Sequence, residues 1–229
     1  MITQAAFVPA AEAAFIGGVS SPQMNRLVDE ELVPRALLAQ EGGARRFARL
    51  AAAFARFFFE TETILAAAAR KQVLWELTLR IEKLQARDQV FALREMPREL
   101  DWKVGNLGAG TVLVDVSAYV AEAMGRAKDV DKAEQLVVED AQVLGGLPCF
   151  AGTRVPIETV LASLDLGVSK DRLYASYPFL TDAHIDAASV YAQVHPRRGR
   201  PRRLSDSNPS AVPKVTRVVR PAKAWHSNS

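Results

Sequence analysis

Glycine and proline punctuate one stretch of the chain so densely that it limits the possible fold more than any other segment. Residues 143–157 read Val-Leu-Gly-Gly-Leu-Pro-Cys-Phe-Ala-Gly-Thr-Arg-Val-Pro-Ile. Glycine adopts positive φ without a side-chain clash, so the chain can double back tightly at both glycine sites. Pro156 fixes φ and suits the first turn of a helix that follows it. The stretch therefore predicts a compact hairpin that leads into a helix.

Three short helices are predicted after this hairpin. Their expected bounds are 156–166, 170–177 and 183–194, and apolar residues recur in them at intervals of three and four. Ser169 and Thr181 are suited to cap the second and third helices. The segment as a whole is predicted to be a hairpin with three helices.

Five separated elements of this segment occur in an order typical of one known family. They are Gly145-Gly146-x-Pro148, Ala151-Gly152-Thr153-Arg154-Val155-Pro156, Leu166-Gly167-Val168-Ser169, Tyr177-Pro178-x-Leu180-Thr181 and Ile185-x-x-Ala188. In this order, residues 136–195 resemble the Gly-Thr-Arg antitoxin domain, long catalogued as a domain of unknown function and described as the VapB-type antitoxin of PIN-like toxins. The resemblance implies a trihelical, homeodomain-like fold in a toxin–antitoxin pair, without catalysis.

Composition is consistent with a globular protein of one or two domains. The chain has 229 residues, 49% of them hydrophobic, and a formal net charge of +3. The single cysteine, Cys149, excludes an internal disulfide, indicates a reducing compartment and is expected to be a buried strand residue. The first residues lack a signal-peptide pattern, and no apolar run reaches the roughly 20 residues that span a bilayer. We therefore expect a cytoplasmic protein.

The amino-terminal region predicts two helices and a hairpin. Expected helices at 9–16 and 21–31 flank a Gly-Gly-Val-Ser turn, and strands at 33–39 and 44–49 flank Gly42-Gly43. Residues 5–57 resemble the winged helix-turn-helix of the MerR and excisionase families, including the Gly-Gly-x-Arg-Arg-Phe wing. That resemblance implies DNA contacts from Ser20, Ser21, Gln23, Asn25, Arg26, Arg35, Arg45 and Arg46. The alternative is a structural helix pair whose arginines are ordinary solvated charges.

A helical pattern then extends from residue 49 to residue 86, with one break near Glu60-Thr61 where Thr61 is expected to cap a new helix. Its apolar stripe is broad, so residues 62–86 are predicted to form the contact of a homodimer, against the alternative of an ordinary core helix. The stripe consists of Phe54, Phe57, Phe58, Leu65, Ala69, Val73, Leu77, Ile81 and Leu84.

The middle of the chain predicts strands at 90–93 and 111–116 and a helix at 117–136. The glycine run 105–110 fits neither dinucleotide nor Walker loops and is interpreted as a turn. Asp129, Asp131 and Glu134 lie on the helix without a neighbouring histidine, so a solvated face is expected rather than a metal site. Residues 137–138 are predicted to be the first strand of the Gly-Thr-Arg segment.

The carboxyl-terminal residues differ in composition from the rest. Residues 196–203 are strongly basic, and the sequence to residue 229 is rich in proline, serine and arginine, which predicts disorder when the chain is alone. The tail is interpreted either as a DNA-backbone arm or as a segment that folds onto an acidic partner. By the antitoxin resemblance it enters the toxin's carboxylate-lined cleft. The residues implied in toxin binding are Arg200, Arg202, Arg203, Arg217, Val218, Val219, Arg220 and Trp225.

These features predict an α+β fold that is mostly α. The expected divisions are a winged helix-turn-helix at 1–60, a long helix at 61–88, a connector at 89–135, the Gly-Thr-Arg domain at 136–196 and a basic tail at 197–229. His184, His195 and His226 are scattered, and Cys149 has no paired base, so no enzyme, cofactor or metal site is expected.

The function predicted is a homodimeric antitoxin that binds a PIN-like ribonuclease toxin and operator DNA. A free-standing MerR-like regulator without a toxin is the alternative. The homeodomain-like segment offers a second DNA-reading head through Lys170, Arg172 and Arg154. Arg154 is expected instead to bond carbonyl groups across its own hairpin, because a guanidinium satisfies several acceptors in a tight turn.

Overall fold

The structure, a computed structural model, describes residues 7–98, 100–104 and 112–196. Helices dominate these residues, and short strands form three small antiparallel sheets, so the predicted α+β class is confirmed. The helices are α1 (Ala10–Gly17), α2 (Ser21–Asp29), α3 (Arg49–Glu60), α4 (Ala67–Glu82), α5 (Arg87–Phe91), α6 (Ser117–Leu136), α7 (Ile157–Asp165), α8 (Lys170–Ser176) and α9 (Asp182–Val194). The strands are β1 (Phe7–Pro9), β2 (Leu38–Glu41), β3 (Ala44–Ala48), β4 (Asp101–Val104), β5 (Val112–Asp115), β6 (Val137–Val138) and β7 (Cys149–Phe150).

The first two helices follow the predicted pattern. Gly18 has a φ of 64° and ends α1, which leaves a short turn before α2. Ser20 caps α2 through a capping box: its Oγ accepts a hydrogen bond from the Gln23 amide at 3.3 Å, and the Gln23 Oε1 accepts one from the Ser20 amide at 2.8 Å. The predicted cap at Ser20 is confirmed.

A three-stranded sheet of order β1-β3-β2 packs beside these helices. The predicted hairpin is confirmed between β2 and β3, where Gly42 and Gly43 adopt φ of 55° and 78°. The prediction of a strand from residue 33 is wrong, because Pro34 leads into a 3₁₀ turn at Arg35–Leu37 and β2 begins only after it. Strand β1 was not predicted, since its partner β3 lies far along the chain.

The helical region after β3 is interrupted for longer than predicted. Thr61 ends α3, and its Oγ1 donates to the Phe57 carbonyl oxygen at 2.7 Å. Helix α4 begins only at Ala67, so the prediction that Thr61 caps it is wrong. Ala66, not Thr61, is the residue that precedes α4 at the N-cap position.

Most of the apolar stripe on α3 and α4 packs inside the chain itself. The stripe residues Phe54, Phe57, Phe58, Val73, Leu77 and Ile81 are all buried, whereas Leu84 is exposed. The breadth of the stripe is therefore explained by a core, and the dimer that was inferred from it stays a prediction. No helix among the described residues is long and apolar enough to cross a membrane.

The middle of the chain combines one wrong and one confirmed strand prediction. Residues 90–93 belong to α5 and the turn after it, where Leu93 adopts a φ of 56°. Strand β5 confirms the prediction for 111–116, and it pairs antiparallel with the unpredicted strand β4. The predicted turn at 105–110 lies outside the described residues.

Helix α6, confirmed at 117–136, links two hydrophobic cores. The first core contains side chains from β1 through α6 and receives Val194 of α9. The second contains Phe150, the helices α7, α8 and α9, and Ala133 of α6. Every described element lies in one compact unit, residues 1–196. The finer predicted division of residues 1–196 stays a prediction.

Candidate functional site

The arginines predicted to contact DNA on α2 and the hairpin mostly hold carboxylates of the same surface. The ion pairs are Arg26 with Glu30 at 2.8 Å, Arg45 with Asp29 at 2.6 Å and the half-buried Arg46 with Glu41 at 3.0 Å. The hydrogen bond from Arg26 lowers the pKa of Glu30. Arg35 is exposed and makes no ion pair with any described residue. This surface therefore presents balanced charge, with Arg35 as its unpaired cation.

The polar candidates on the same helix also have local partners. The capping box uses the Ser20 hydroxyl and the Gln23 side-chain oxygen. The backbone carbonyl oxygen of Asn25, rather than its side chain, accepts a hydrogen bond from Arg45 Nη1 at 3.5 Å. The guanidinium of Arg26 lies over the ring of Phe59, 5.2 Å from its centroid. Ser21, which is half-buried, completes the predicted set at the start of α2.

A buried ion-pair network behind this surface joins three helices, and the sequence did not reveal it. Arg49 of α3 contacts Glu12 of α1 at 2.9 Å, with both side chains almost fully buried. Arg49 Nη1 also donates to Asp131 of α6 at 2.6 Å, so the expectation that Asp131 is merely solvated is wrong. Burial raises the pKa of Glu12, and the charge of Arg49 acts against that rise. Among the described residues, no group of three His, Cys, Asp or Glu side chains is placed to hold a metal ion.

Helix α6 also holds the turn between α1 and α2. Arg126 donates from Nε to the carbonyl oxygen of Ile16 at 2.7 Å, and its guanidinium packs beside Gly18. Partial burial lowers the pKa of Arg126. The candidate DNA-reading helix is therefore fixed from behind by α6.

The Gly-Thr-Arg hairpin forms as predicted, and Thr153 closes its second turn. Its Oγ1 donates to the Phe150 carbonyl oxygen at 2.9 Å and accepts from the Val155 amide at 3.1 Å. Pro156 precedes α7 as its N-cap residue, one position earlier than the first-turn placement that the sequence suggested. The motif glycines Gly145, Gly146 and Gly152 have φ of 69°, 83° and 73°. Glycine adopts these values without a side-chain clash, which explains its use at these positions.

Arg154 does not play the structural role that was expected of it. The side chain is exposed and makes no hydrogen bond or ion pair with any residue in the described part of the chain. Thr153, rather than Arg154, satisfies the acceptors of the turn. The Arg154 guanidinium is therefore available to a partner.

A groove of about 380 Å³ lies beside Arg154. Val138 and Cys149, which pair across β6 and β7, contribute to its lining. Cys149 is buried, as predicted, and this burial raises the pKa of its thiol. The complete lining is Val138, Asp140, Val143, Cys149, Gly152, Thr153 and Arg154.

The second possible DNA-reading head has one paired and one unpaired cation. Lys170 contacts Asp182 at the start of α9, and the Tyr174 hydroxyl donates to the same carboxylate at 3.0 Å. The hydrogen bonds from Lys170 and Tyr174 hold the pKa of Asp182 below its ordinary value. Arg172 is exposed and has no side-chain partner among the described residues.

Comparison with known proteins places these features in a family. Residues 137–192 match the family described as "Protein of unknown function (DUF433)", close to the bounds predicted for the Gly-Thr-Arg segment. The uncharacterized protein y4eO of Sinorhizobium fredii (strain NBRC 101917 / NGR234) is 32% identical over 202 residues, which cover 88% of this chain and 87% of y4eO. The chain belongs to the y4eO family. No solved structure matches it.

The y4eO family likeness extends far beyond the DUF433 segment, since 202 residues are aligned. It therefore also takes in sequence outside the hairpin and α7, α8 and α9. Arg49, Glu12 and Asp131 lie outside the DUF433 segment. Arg49 is paired with Glu12, 37 positions before it, and with Asp131, 82 positions after it, so no local sequence motif indicated the network.

Charge in this y4eO-family chain is strongly segregated. Residues 197–229 contain nine Lys or Arg and one Asp, a net charge of +8. Residues 1–196 contain 20 Lys or Arg and 25 Asp or Glu, a net charge of −5. The residues implied in toxin binding, Arg200 to Trp225, lie outside the described residues. The modest net charge of the whole chain is therefore the sum of an acidic segment, residues 1–196, and a strongly basic one, residues 197–229.

Proposed function

We propose that this protein is the antitoxin of a type II toxin–antitoxin system. It binds and neutralises a PIN-like ribonuclease toxin, and it represses its own operon by binding operator DNA. The resemblance of residues 136–195 to the VapB-type antitoxin domain supports this proposal. No catalytic role is included in it, and a cytoplasmic location follows from the intracellular target of such a toxin.

The charge segregation is the observation that carries the proposal. A PIN-like nuclease gathers carboxylates around a metal, so its catalytic cleft attracts a basic segment. Residues 197–229, with a net charge of +8, complement such a cleft, whereas residues 1–196 at −5 do not. In the proposed complex the arginines of the tail pair with the toxin's carboxylates. Val218, Val219 and Trp225 supply apolar contact at the edge of the toxin.

The amino-terminal helices and hairpin support the DNA-binding part of the proposal. Helix α2 follows α1 after a short turn, as the second helix of a helix-turn-helix does, and the β2–β3 hairpin comes after it. Arg35 is the unpaired cation of this surface. Because Arg45 is paired with Asp29 and Arg26 with Glu30, this surface attracts phosphate less strongly than its number of arginines suggests. We therefore expect one amino-terminal helix pair with its hairpin to bind the operator with moderate affinity, and the two copies in a homodimer to bind it more tightly.

An exposed face of α4 supports the homodimer. Trp75 is 38% exposed and Leu79 is 52% exposed, and they lie four residues apart on the side of α4 that faces solvent. The buried stripe of the same helix serves the core, so this second face replaces it as the proposed dimer contact. A monomeric mass by light scattering at micromolar concentration contradicts the dimer.

Co-expression with the product of the adjacent gene tests the toxin partner. The full chain and a form that ends at Pro196 are each captured with that product. We expect the full chain to retain the adjacent gene product at 150 mM salt and to lose it progressively as the salt concentration rises. The contact is largely electrostatic, and the distance over which charges attract each other, about 8 Å at this ionic strength, shortens as salt is added. We expect the truncated form to capture at least about tenfold less.

A substituted tail is the matched control for truncation. Arg200→Gln, Arg202→Gln and Arg203→Gln together remove three charges without shortening the chain, and we expect them to weaken capture. If neither the full chain nor the truncated form binds the adjacent product, while both shift upstream DNA, the antitoxin proposal fails. The free-standing MerR-like regulator then replaces it, since the helix pair and hairpin favour DNA binding in either case.

A further inference from the structure

We propose that the groove beside Arg154 docks a short apolar peptide segment of another protein, with a carboxylate of that segment paired to Arg154. The groove volume of about 380 Å³ lies within the roughly 300–1,000 Å³ typical of ligand pockets. Arg154 at its rim is exposed and without a side-chain partner in the described part of the chain. The groove is formed by residues 138–154 and does not include the basic tail.

The loop that borders the groove presents leucines that folding does not explain. Leu144 follows the lining residue Val143 and is 51% exposed, and its φ of 48° is a value that favours glycine or asparagine. Neither burial nor backbone preference accounts for a leucine at this position. Leu147, two residues before Cys149, is 38% exposed, and Val138 is 42% exposed. A strained, exposed apolar residue beside a groove points to a contact outside the chain.

The apolar and charged side chains around the groove indicate which class of molecule binds there. Apolar surface from Val138, Val143 and Leu144 extends beyond the cavity, so an apolar chain covers it better than a small acid does. The Asp140 carboxylate lines the same groove and repels anions, so a polyanion such as nucleic acid is disfavoured more strongly than a peptide whose single carboxylate sits at Arg154. Asp140 accepts from the Gln142 amide at 2.8 Å and makes no ion pair with Arg154, so the guanidinium is not neutralised from within. A peptide with a carboxylate next to apolar side chains therefore complements both Arg154 and the apolar lining of the groove.

Amide-resolved NMR titration of the full chain tests the docking. The probe is the blocked pentapeptide acetyl-Val-Leu-Asp-Val-Leu-amide, and the matched control carries Asn in place of Asp. We expect saturable shifts at Gly152, Thr153 and Cys149, with the Asn peptide bound about tenfold more weakly because it loses a charge-assisted hydrogen bond. Site resolution matters because an acidic peptide also attracts the basic tail. Shifts confined to residues 197–229 overturn the proposal.

Three variants separate the contributions. Arg154→Gln is expected to make the two peptides bind equally, whereas Arg172→Gln, at another exposed arginine without a partner, is expected to change nothing. Leu144→Asn suits the backbone, so it is expected to keep the fold and to weaken both peptides about fivefold. Unchanged peptide affinity in Leu144→Asn overturns the apolar half of the proposal. A 20-base-pair DNA duplex that shifts the same amides and displaces the peptide overturns the choice of occupant.

This proposal and the antitoxin proposal fail separately. The groove variants leave residues 197–229 intact, so loss of peptide binding does not predict loss of the adjacent gene product. Truncation at Pro196 removes the tail and keeps every residue of the groove. If the toxin is also the groove's partner, Arg154→Gln and truncation weaken its capture independently.

Discussion

Arg49 Nη2 lies 2.9 Å from Oε1 of Glu12, and the two side chains are only 7% and 5% exposed. The pair joins α1 to α3, and Asp131 extends it to α6. Helix α6 in turn packs against the second core through Ala133. One buried arginine thus fixes the amino-terminal helix pair to the helix that carries the Gly-Thr-Arg segment.

Removal of Arg49 is expected to destabilise the protein severely. Arg49→Met leaves the Glu12 carboxylate buried without a partner, and breaking one side of a buried ion pair costs about 3–5 kcal/mol. The double variant with Glu12→Leu is expected to recover most of that loss, because no charge is then left buried. Urea unfolding, compared with Arg35→Met at an exposed arginine, measures both effects. If Arg49→Met is no more destabilising than Arg35→Met, the network has no such role.

Two glycines in helices are expected to respond to alanine in opposite directions. A Cβ on Gly17 would lie 2.6 Å from the backbone oxygen of Ala52, so Gly17→Ala forces α1 away from α3 and costs at least about 2 kcal/mol. A Cβ on Gly125 meets nothing within 4 Å, so Gly125→Ala is expected to stabilise α6 by about 0.5–1 kcal/mol. Thermal unfolding of both variants checks the pair. Equal changes of the same sign contradict the close packing of α1 on α3.

Operator binding by the amino-terminal head is expected to depend on its ion pairs. Asp29→Asn frees Arg45 for a phosphate, so it should raise affinity and steepen the log-log salt dependence by about one. Arg35→Gln removes the unpaired cation and should reduce the slope by about one. Fluorescence anisotropy with upstream DNA across a salt series measures both slopes. If only Arg172→Gln and Arg154→Gln change them, the homeodomain-like head reads DNA instead.

Tyr191 is expected to make stability fall at high pH. Burial, together with the nearby Glu139 carboxylate that accepts its hydrogen bond at 3.1 Å, raises the pKa of Tyr191 to about 12 from an ordinary 10.0. The unfolded chain ionises first as pH rises, so stability is retained below pH 10 and declines between about 10 and 12. Tyr191→Phe should flatten this decline and remove the last step of the phenolate absorbance titration. An unchanged titration contradicts the assignment.

Local signals made the helix ends predictable. Ser20 and Ser169 were identified as caps because a serine before an apolar helical pattern satisfies free amides three residues on, and both do so in the structure. Gly42 and Gly43 predicted the hairpin because adjacent glycines allow the positive φ values of a tight turn, and both adopt such values. Helix α6 was bounded correctly from its pattern alone.

Distant or ambiguous signals were not predictable. Val90 and Phe91 are buried in a short helix, and an apolar run of four residues does not distinguish a helix from a strand. Strand β1 depends on β3, about 40 residues later, and the Arg49–Asp131 contact spans 82 residues. The availability of Arg154 also escaped prediction, because it follows from Thr153 satisfying the turn.

Titration of the purified product of the adjacent gene decides whether this chain silences a ribonuclease through its basic tail. Ribonuclease activity is measured against increasing full chain, and separately against the form that ends at Pro196. We expect complete inhibition by the full chain at a fixed stoichiometry and little inhibition by the truncated form. Equal inhibition by both forms, or an adjacent product without ribonuclease activity, would contradict it.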